Sequence, residues 1–380
     1  MRVGWDVFSF DAPGANYGVG PGLVVWRLLP ELARLAPDIE FVAFANPQCA
    51  PYLPAAPNVR VVVSPYPTRP RPLRLLHEQL WLPQAARREK LDLLHGFGNN
   101  LPWGLRIPTV LLVHDLMWRY YLGRGDRSLK YRYFALTVPR SLRRARALVA
   151  VSEATRQELI AAGCAPGTVH RIYNGPGSYW EAPTPSHAAE LKAKYPERFL
   201  LSLTTSLPHK NLVGLLAALV LLRDRYGLAV PLVVAGQLKG RFHLQTQAFV
   251  AAHGLEGLVR QVGFVSEAEK TWLYRHAAGV VYPSLYEGFG LPVLEALEAG
   301  VPVATSQAAS MPEVGGDAAL YFDPTRPESI AQALHRLLTD DALRAECIER
   351  GRAQAARFSW AQAAAENLAL YRQLVGQPVR

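Results

Sequence analysis

Two glutamates, Glu287 and Glu295, close a run that reads Tyr282-Pro-Ser-Leu-Tyr-Glu-Gly-Phe-Gly-Leu-Pro-Val-Leu-Glu295. Carboxylates accept hydrogen bonds from hydroxyls and stabilise positive charge that develops at a reacting carbon. A pair of them around a glycine loop therefore suits a ligand rich in hydroxyls. The apolar run that ends near Tyr282 reads as a strand, and a helix is predicted to start near Leu291 with Pro292 in its first turn. Gly288 and Gly290 let the backbone approach a ligand closely. The amides of Phe289, Gly290 and Leu291 fall at the helix start, where unpaired donors suit a phosphate or sugar oxygen. Glu295 is placed near the first turn, where the helix dipole favours a carboxylate. There it has the chemistry to accept from a ribose diol, or simply to cap the helix. Spacing alone does not choose between these.

Other candidates also follow predicted strands. Lys210, in Leu-Pro-His-Lys210-Asn211, is either a surface lysine or a point charge for a diphosphate. His114 follows the run Thr-Val-Leu-Leu-Val113; it is structural or lines a site, and Asp115 orients it or caps the next helix. His95 ends another predicted strand and is expected to face a cleft. Ser152, opening Ser-Glu-Ala-Thr155, reads as a helix N-cap rather than a nucleophile. Cys49, Cys164 and Cys347 have no metal-ligand or redox spacing, and no metal site is expected. No Asp-x-Asp pair is present to hold a divalent cation on a diphosphate.

The elements that must position these groups alternate short β-branched runs with longer helical patterns, as parallel α/β domains do. Strands are predicted at 41–45, 60–63, 91–95, 109–113 and 147–151. A helix at 22–35 follows a glycine loop that contains Gly18 and Gly20. The turn-rich stretch after Ile172 reads as an interdomain linker, ahead of a second series at 198–203, 232–235, 259–262, 279–282, 301–305 and 319–322. A last amphipathic helix runs from Trp360 to Leu374. The expected plan is a first domain at 1–175, a linker at 176–197, a second domain at 198–357, and a tail helix at 358–380 packing back towards the first domain. Two such domains imply a cleft, with chemistry at the carboxyl ends of their strands.

Composition narrows the class. The chain has 380 residues, half of them hydrophobic and 19% charged, a folded rather than disordered balance. No apolar run approaches the ~20 residues of a spanning helix, and the N-terminus lacks a signal-peptide pattern, so a cytoplasmic location is expected. The net charge is +10, with much of the excess between Arg69 and Arg146. A solvated arginine-rich surface explains that, and so does a face that meets an anionic membrane; no nucleic-acid partner is expected.

The segment from Glu287 to Glu295 resembles the E-x7-E signature of retaining glycosyltransferases with the GT-B fold, in particular glycosyltransferase family 4. The likeness continues through Glu298-Ala-Gly-Val-Pro302, Met311-Pro-Glu-Val-Gly-Gly-Asp317, Phe322-Asp-Pro324 and Phe358-Ser-Trp360. It covers nearly the whole chain and is stronger in the second half. The resemblance implies two Rossmann-like parallel-sheet domains facing across a cleft. It implies that Glu287 faces the transferred sugar, that Glu295 holds the ribose, and that Lys210 contacts the diphosphate. Retention would follow front-face attack assisted by the leaving diphosphate, with no metal required. His114, in a His-Asp-Leu shared with mannosyltransferase-like members, would touch donor sugar or acceptor. Gly18 and Gly20 resemble the loop that approaches donor phosphates, or form a tight turn; Phe264 and Val265 resemble the nucleobase loop. Many members carry Gly-Arg where this chain has Thr204-Thr205, so one phosphate cation is replaced by threonine. The implied activity is hexosyl transfer, most naturally of mannose from GDP-mannose, to a glycan or lipid-linked saccharide, with UDP-glucose or a rhamnose donor as alternatives. The competing readings are a non-catalytic GT-B scaffold and a sugar-nucleotide epimerase.

Overall fold

The computed structural model describes residues 1–10, 18–66, 71–177 and 180–376. The chain divides into two compact units, one of residues 1–175 with 358–380 and one of residues 176–357.

The first unit is built on β1 (Arg2–Asp6), α1 (Leu23–Leu35), β2 (Glu40–Ala45), β3 (Val59–Val63), α2 (Arg71–Arg88), β4 (Leu93–Gly96) and β5 (Thr109–Val113). There follow α3 (Met117–Gly123), α4 (Leu129–Arg144), β6 (Ala147–Ala150), α5 (Glu153–Ala161) and β7 (Val169–Arg171). Its strands form one parallel sheet in the order β3-β2-β1-β4-β5-β6-β7. β4, β5 and β6 are buried along their whole length. That explains why they read as continuous apolar runs rather than alternating ones.

In the second unit come α6 (Pro185–Lys194), β8 (Leu200–Leu203), α7 (Leu212–Tyr226), β9 (Leu232–Ala235), α8 (Gly240–Ala252), β10 (Val259–Gly263) and α9 (Glu267–His276). It continues with β11 (Gly279–Tyr282), α10 (Leu291–Glu298), β12 (Val303–Ser306), α11 (Met311–Gly315), β13 (Ala319–Phe322), α12 (Pro327–Thr339) and α13 (Asp341–Ala355). The parallel order is β10-β9-β8-β11-β12-β13. α14 (Trp360–Val375) returns to the first unit and packs along α1.

In each sheet the first strand sits in the middle. The chain builds outward on one side, then restarts on the other, between β1 and β4 and between β8 and β11. Such switch points leave a crevice at the strands' carboxyl ends, where ligands of doubly wound sheets bind.

Several expectations are corrected. β1 and β7 are absent from the predicted strands; β1 is short and mixes Arg2, Gly4 and Asp6 among its apolar residues. The stretch expected to be a linker carries α6, because Thr184 caps it by accepting the His187 amide and Pro185 fits its first position. α6 packs on α9 within the second unit. Gly18–Gly22, expected as a loop, forms a single wide helical turn that leads into α1.

Candidate active site

The carboxyl ends beside the switch point of the second unit hold a compact polar cluster. Lys210 ends a short 3-10 turn after β8, and Tyr282 ends β11. The Lys210 ammonium donates to Glu287 Oε1 at 2.5 Å and to the Tyr282 hydroxyl at 2.7 Å. Tyr282 donates to the same Glu287 oxygen at 2.9 Å. The Lys210 and Glu287 side chains keep 16% and 13% of their surface, so the pair is sheltered but reachable. Burial opposes ionisation of Glu287, yet the charge of Lys210, and then of His209, outweighs it and holds the carboxyl below its usual range. Burial likewise opposes the Lys210 charge, and the attraction of Glu287 and Tyr282 raises it above the ordinary lysine value. Both groups are therefore ionised at neutral pH. An ammonium has three donors, and two are committed here.

Neighbouring side chains fix the loops that carry this cluster. Asn211 adopts the left-handed region at φ 57° and donates to the Pro283 carbonyl at 3.2 Å and the Pro324 carbonyl at 2.6 Å. It thereby ties the ends of β8, β11 and β13 together. The fully buried Ser310 hydroxyl lies 2.7 Å from the Phe289 carbonyl and 3.1 Å from the Glu287 carbonyl and shares its one proton between them, pinning the glycine loop. Gly290 is the α10 N-cap at φ 111°, and a Cβ there would lie 2.4 Å from Met311 Cε. The backbone at position 290 favours glycine, and an added Cβ would also require the end of the flexible Met311 side chain to move. Ser310, Met311 and Tyr282 were not among the expected site residues. Ser310 and Met311 lie far along the chain and carry no charge, so only packing reveals them.

The helix does start at Leu291 with Pro292 behind it, as the sequence predicts. Glu295 is the fifth residue of α10, just past its first turn, and is 4% exposed. Its Oε2 accepts from the Tyr274 hydroxyl at 2.7 Å, and Lys270 lies 3.7 Å from Oε1. Buried within α10, it has its own partners and is hydrogen-bonded to neither Lys210 nor Glu287. Thr205, at the threonine pair, keeps a buried hydroxyl with no partner among the described residues. Phe264 and Val265 follow β10, with the Phe264 ring 64% exposed. His209 is buried and Arg241 is exposed in the first turn of α8.

The first unit carries its own set. His114 follows β5 directly and is buried; its Nε2 lies 2.9 Å from the Phe97 carbonyl. A carbonyl only accepts, so Nε2 bears the proton and Nδ1 is left as an acceptor. Burial lowers the His114 pKa to about 4, against the opposing Phe97 bond, so the ring is neutral at pH 7. Asp115 accepts the Met117 amide at 2.9 Å and serves the start of α3. His95 is corrected. It lies within β4, is fully buried, and meets the Tyr371 hydroxyl of α14 at 2.5 Å instead of facing an open crevice. Burial and then the His114 charge lower its pKa to about 3. Gly20 holds φ 83°, which a side chain would strain, with open space where a Cβ would sit. Ser152 Oγ accepts the Thr155 amide, the expected N-cap.

Two doubly wound parallel sheets, with a lysine, a tyrosine and a glutamate gathered at the switch-point end of the second, define a GT-B type protein. Comparison with known sequences agrees. The family model described as Glycosyltransferase Family 4 matches residues 20–176, and that described as Glycosyl transferases group 1 matches residues 184–354. O-antigen chain mannosyltransferase B of Escherichia coli is 32% identical over 317 residues, covering 79% of each chain. The serotype-specific mannosyltransferase WbdA of Escherichia coli is 32% identical over 274 residues, covering 70% of this chain but 33% of WbdA. Among solved structures, Anabaena HepE in complex with UDP and glucose superposes with a TM-score of 0.74 at 19% identity, covering 98% of this chain and 100% of that one. The chain belongs to glycosyltransferase family 4 and is a glycosyltransferase.

Proposed function

We propose that the chain transfers a hexose with retention of configuration, most specifically mannose from GDP-mannose, to a hydroxyl of a growing glycan or lipid-linked saccharide. The observation that carries the reading is the Lys210–Tyr282–Glu287 cluster at the switch point of the second sheet. In this reading the carboxylate of the ion pair serves the sugar hydroxyls and C1, and its cation serves the departing diphosphate. Lys210 has one donor left for a phosphate oxygen, and the unpartnered Thr205 hydroxyl supplies a second donor on the same loop. Together they take over from the arginine this chain lacks. The first amides of α10, around Gly290 and Leu291, add dipole-aligned donors. Glu295 is held at one oxygen by Tyr274 and accepts a ribose hydroxyl at the other. Neutral His114, with Nδ1 as acceptor, receives a sugar hydroxyl rather than supplying charge. The mannose assignment rests on the mannosyltransferase relatives.

In this mechanism Glu287 stabilises the oxocarbenium-like centre while the diphosphate leaves. The acceptor attacks from the same face, and the departing phosphate oxygen takes its proton. The charge that a divalent metal would neutralise falls to Lys210 and the helix-start amides. A screen of GDP-mannose, UDP-glucose and a rhamnose donor by thermal shift and nucleotide release, with and without EDTA, tests the proposal. GDP-mannose should stabilise the protein most, and EDTA should leave turnover unchanged. Stabilisation by UDP alone, or release that depends on added metal, refutes the donor or the mechanism respectively.

A further inference from the structure

Residues 71–146 hold fifteen lysines and arginines against five acids, an excess of ten that equals the net charge of the whole chain. The rest of the protein is electrically balanced. The five acids are all engaged locally. Glu78 is buried and accepts from Ser9, and Glu89 is paired with Arg60. Asp92, Asp115 and Asp126 accept the amides of Arg2, Met117 and Ser128. α4 has five basic residues and no acid. Among the described residues, Arg87, Arg88, Arg132, Arg140 and Arg143 form no ion pair.

The same surface exposes large apolar side chains. Leu76 and Leu80, one turn apart on α2, are 51% and 58% exposed; Leu129 and Leu136 on α4 are 81% and 61% exposed; Trp103 between the helices is 50% exposed. The connection from β4 to β5 joins the two helices into one face. The Trp103 amide donates to Gln79 of α2, and Arg87 donates to the Gly104 carbonyl. The Leu101 amide donates to Ser141 of α4, and Arg144 donates to the Leu105 carbonyl. α2 and α4 both precede strands added on the same side of β1, so right-handed crossovers put them on one face of the sheet.

We propose that this face, α2 with Trp103 and α4, docks the protein on an anionic lipid bilayer. Arginines without carboxylate partners meet lipid phosphates, while Trp103 and the leucines enter the interfacial layer, the combination that peripheral membrane binding requires. Charge complementarity selects this occupant. A cationic face with interspersed Trp and Leu would be repelled from a second copy of itself.

Co-sedimentation of the full chain with vesicles tests the proposal. Binding should be strong to phosphatidylcholine containing 30 mol% phosphatidylglycerol, weak to phosphatidylcholine alone, and released by high salt. R132Q/R140Q/R143Q should bind the anionic vesicles at least about tenfold more weakly, at roughly 1 kcal/mol per charge near the surface. L80S/W103A should weaken binding at every salt concentration, whereas R275Q in the second unit should not. These changes are on exposed side chains, and an unchanged melting curve verifies folding. Equal binding to neutral and anionic vesicles, undiminished binding of both multiple variants, or preferential binding of single-stranded RNA would overturn it.

Discussion

Acidification from pH 7 to pH 5 should weaken the first unit through two buried histidines. His114 and His95 have folded pKa values of about 4 and about 3, against 6.5 for the free side chain. Burial is the main cause in both. The sign follows from linkage: a depressed folded pKa means the unfolded chain binds protons first, so stability present above pH 6.5 is lost on descending towards the folded value. Between pH 7 and pH 5 the unfolded histidine becomes almost fully protonated while the folded one stays neutral. At about 1.36 kcal/mol per unit of pKa, the loss is roughly 2 kcal/mol for each histidine, or roughly 4 together. The lost stability should be concentrated around β4 and β5, which carry or precede these residues. Hydrogen exchange at pH 5 and pH 7, corrected for intrinsic rates, measures it. In a proton NMR titration, two of the ten histidines should hold their neutral shifts down to pH 5. Replacing His95 with Gln and His114 with Asn should remove most of the extra pH dependence. Ten histidines titrating near 6.5, or an unaltered pH dependence in the double variant, would refute the burial argument.

Further outcomes concern the second unit. Glu287→Gln should abolish sugar transfer while leaving nucleotide affinity nearly intact; measurable turnover within tenfold of the parent would contradict its placement at the sugar. Lys210→Met should reduce kcat/KM by about two to three orders of magnitude, the scale of losing one preorganised donor, and should raise the Glu287 pKa, detectable by carboxyl NMR. Ser310→Ala removes the donor to the Glu287 and Phe289 carbonyls and should cost about 1–3 kcal/mol in denaturant unfolding. Gly290→Ala should destabilise by about 1–3 kcal/mol from backbone strain alone, with the Met311 clash added; Gly290→Ala with Met311→Ala should recover part of that loss, and no recovery would show that the clash is not felt.

The sequence by itself determined the α/β class, the division near residue 175 and the family, and it singled out Glu287, Glu295 and Lys210 as candidates. Those features are local: apolar runs for buried strands, Pro292 behind a glycine loop for a helix start, and a long ordered motif. It did not reveal β1, whose Arg2 and Asp6 break the apolar pattern at the centre of a sheet. Nor did it show that Glu295 is buried against Tyr274, or that His95 is sealed by Tyr371 from the far end of the chain. Only tertiary structure decided these, because each depends on residues remote in sequence meeting at a strand end. The same holds for the pairing of Lys210 with Glu287. Their positions, 77 residues apart, say nothing about distance until β8 and β11 lie side by side, and the charge of each is then fixed by the other.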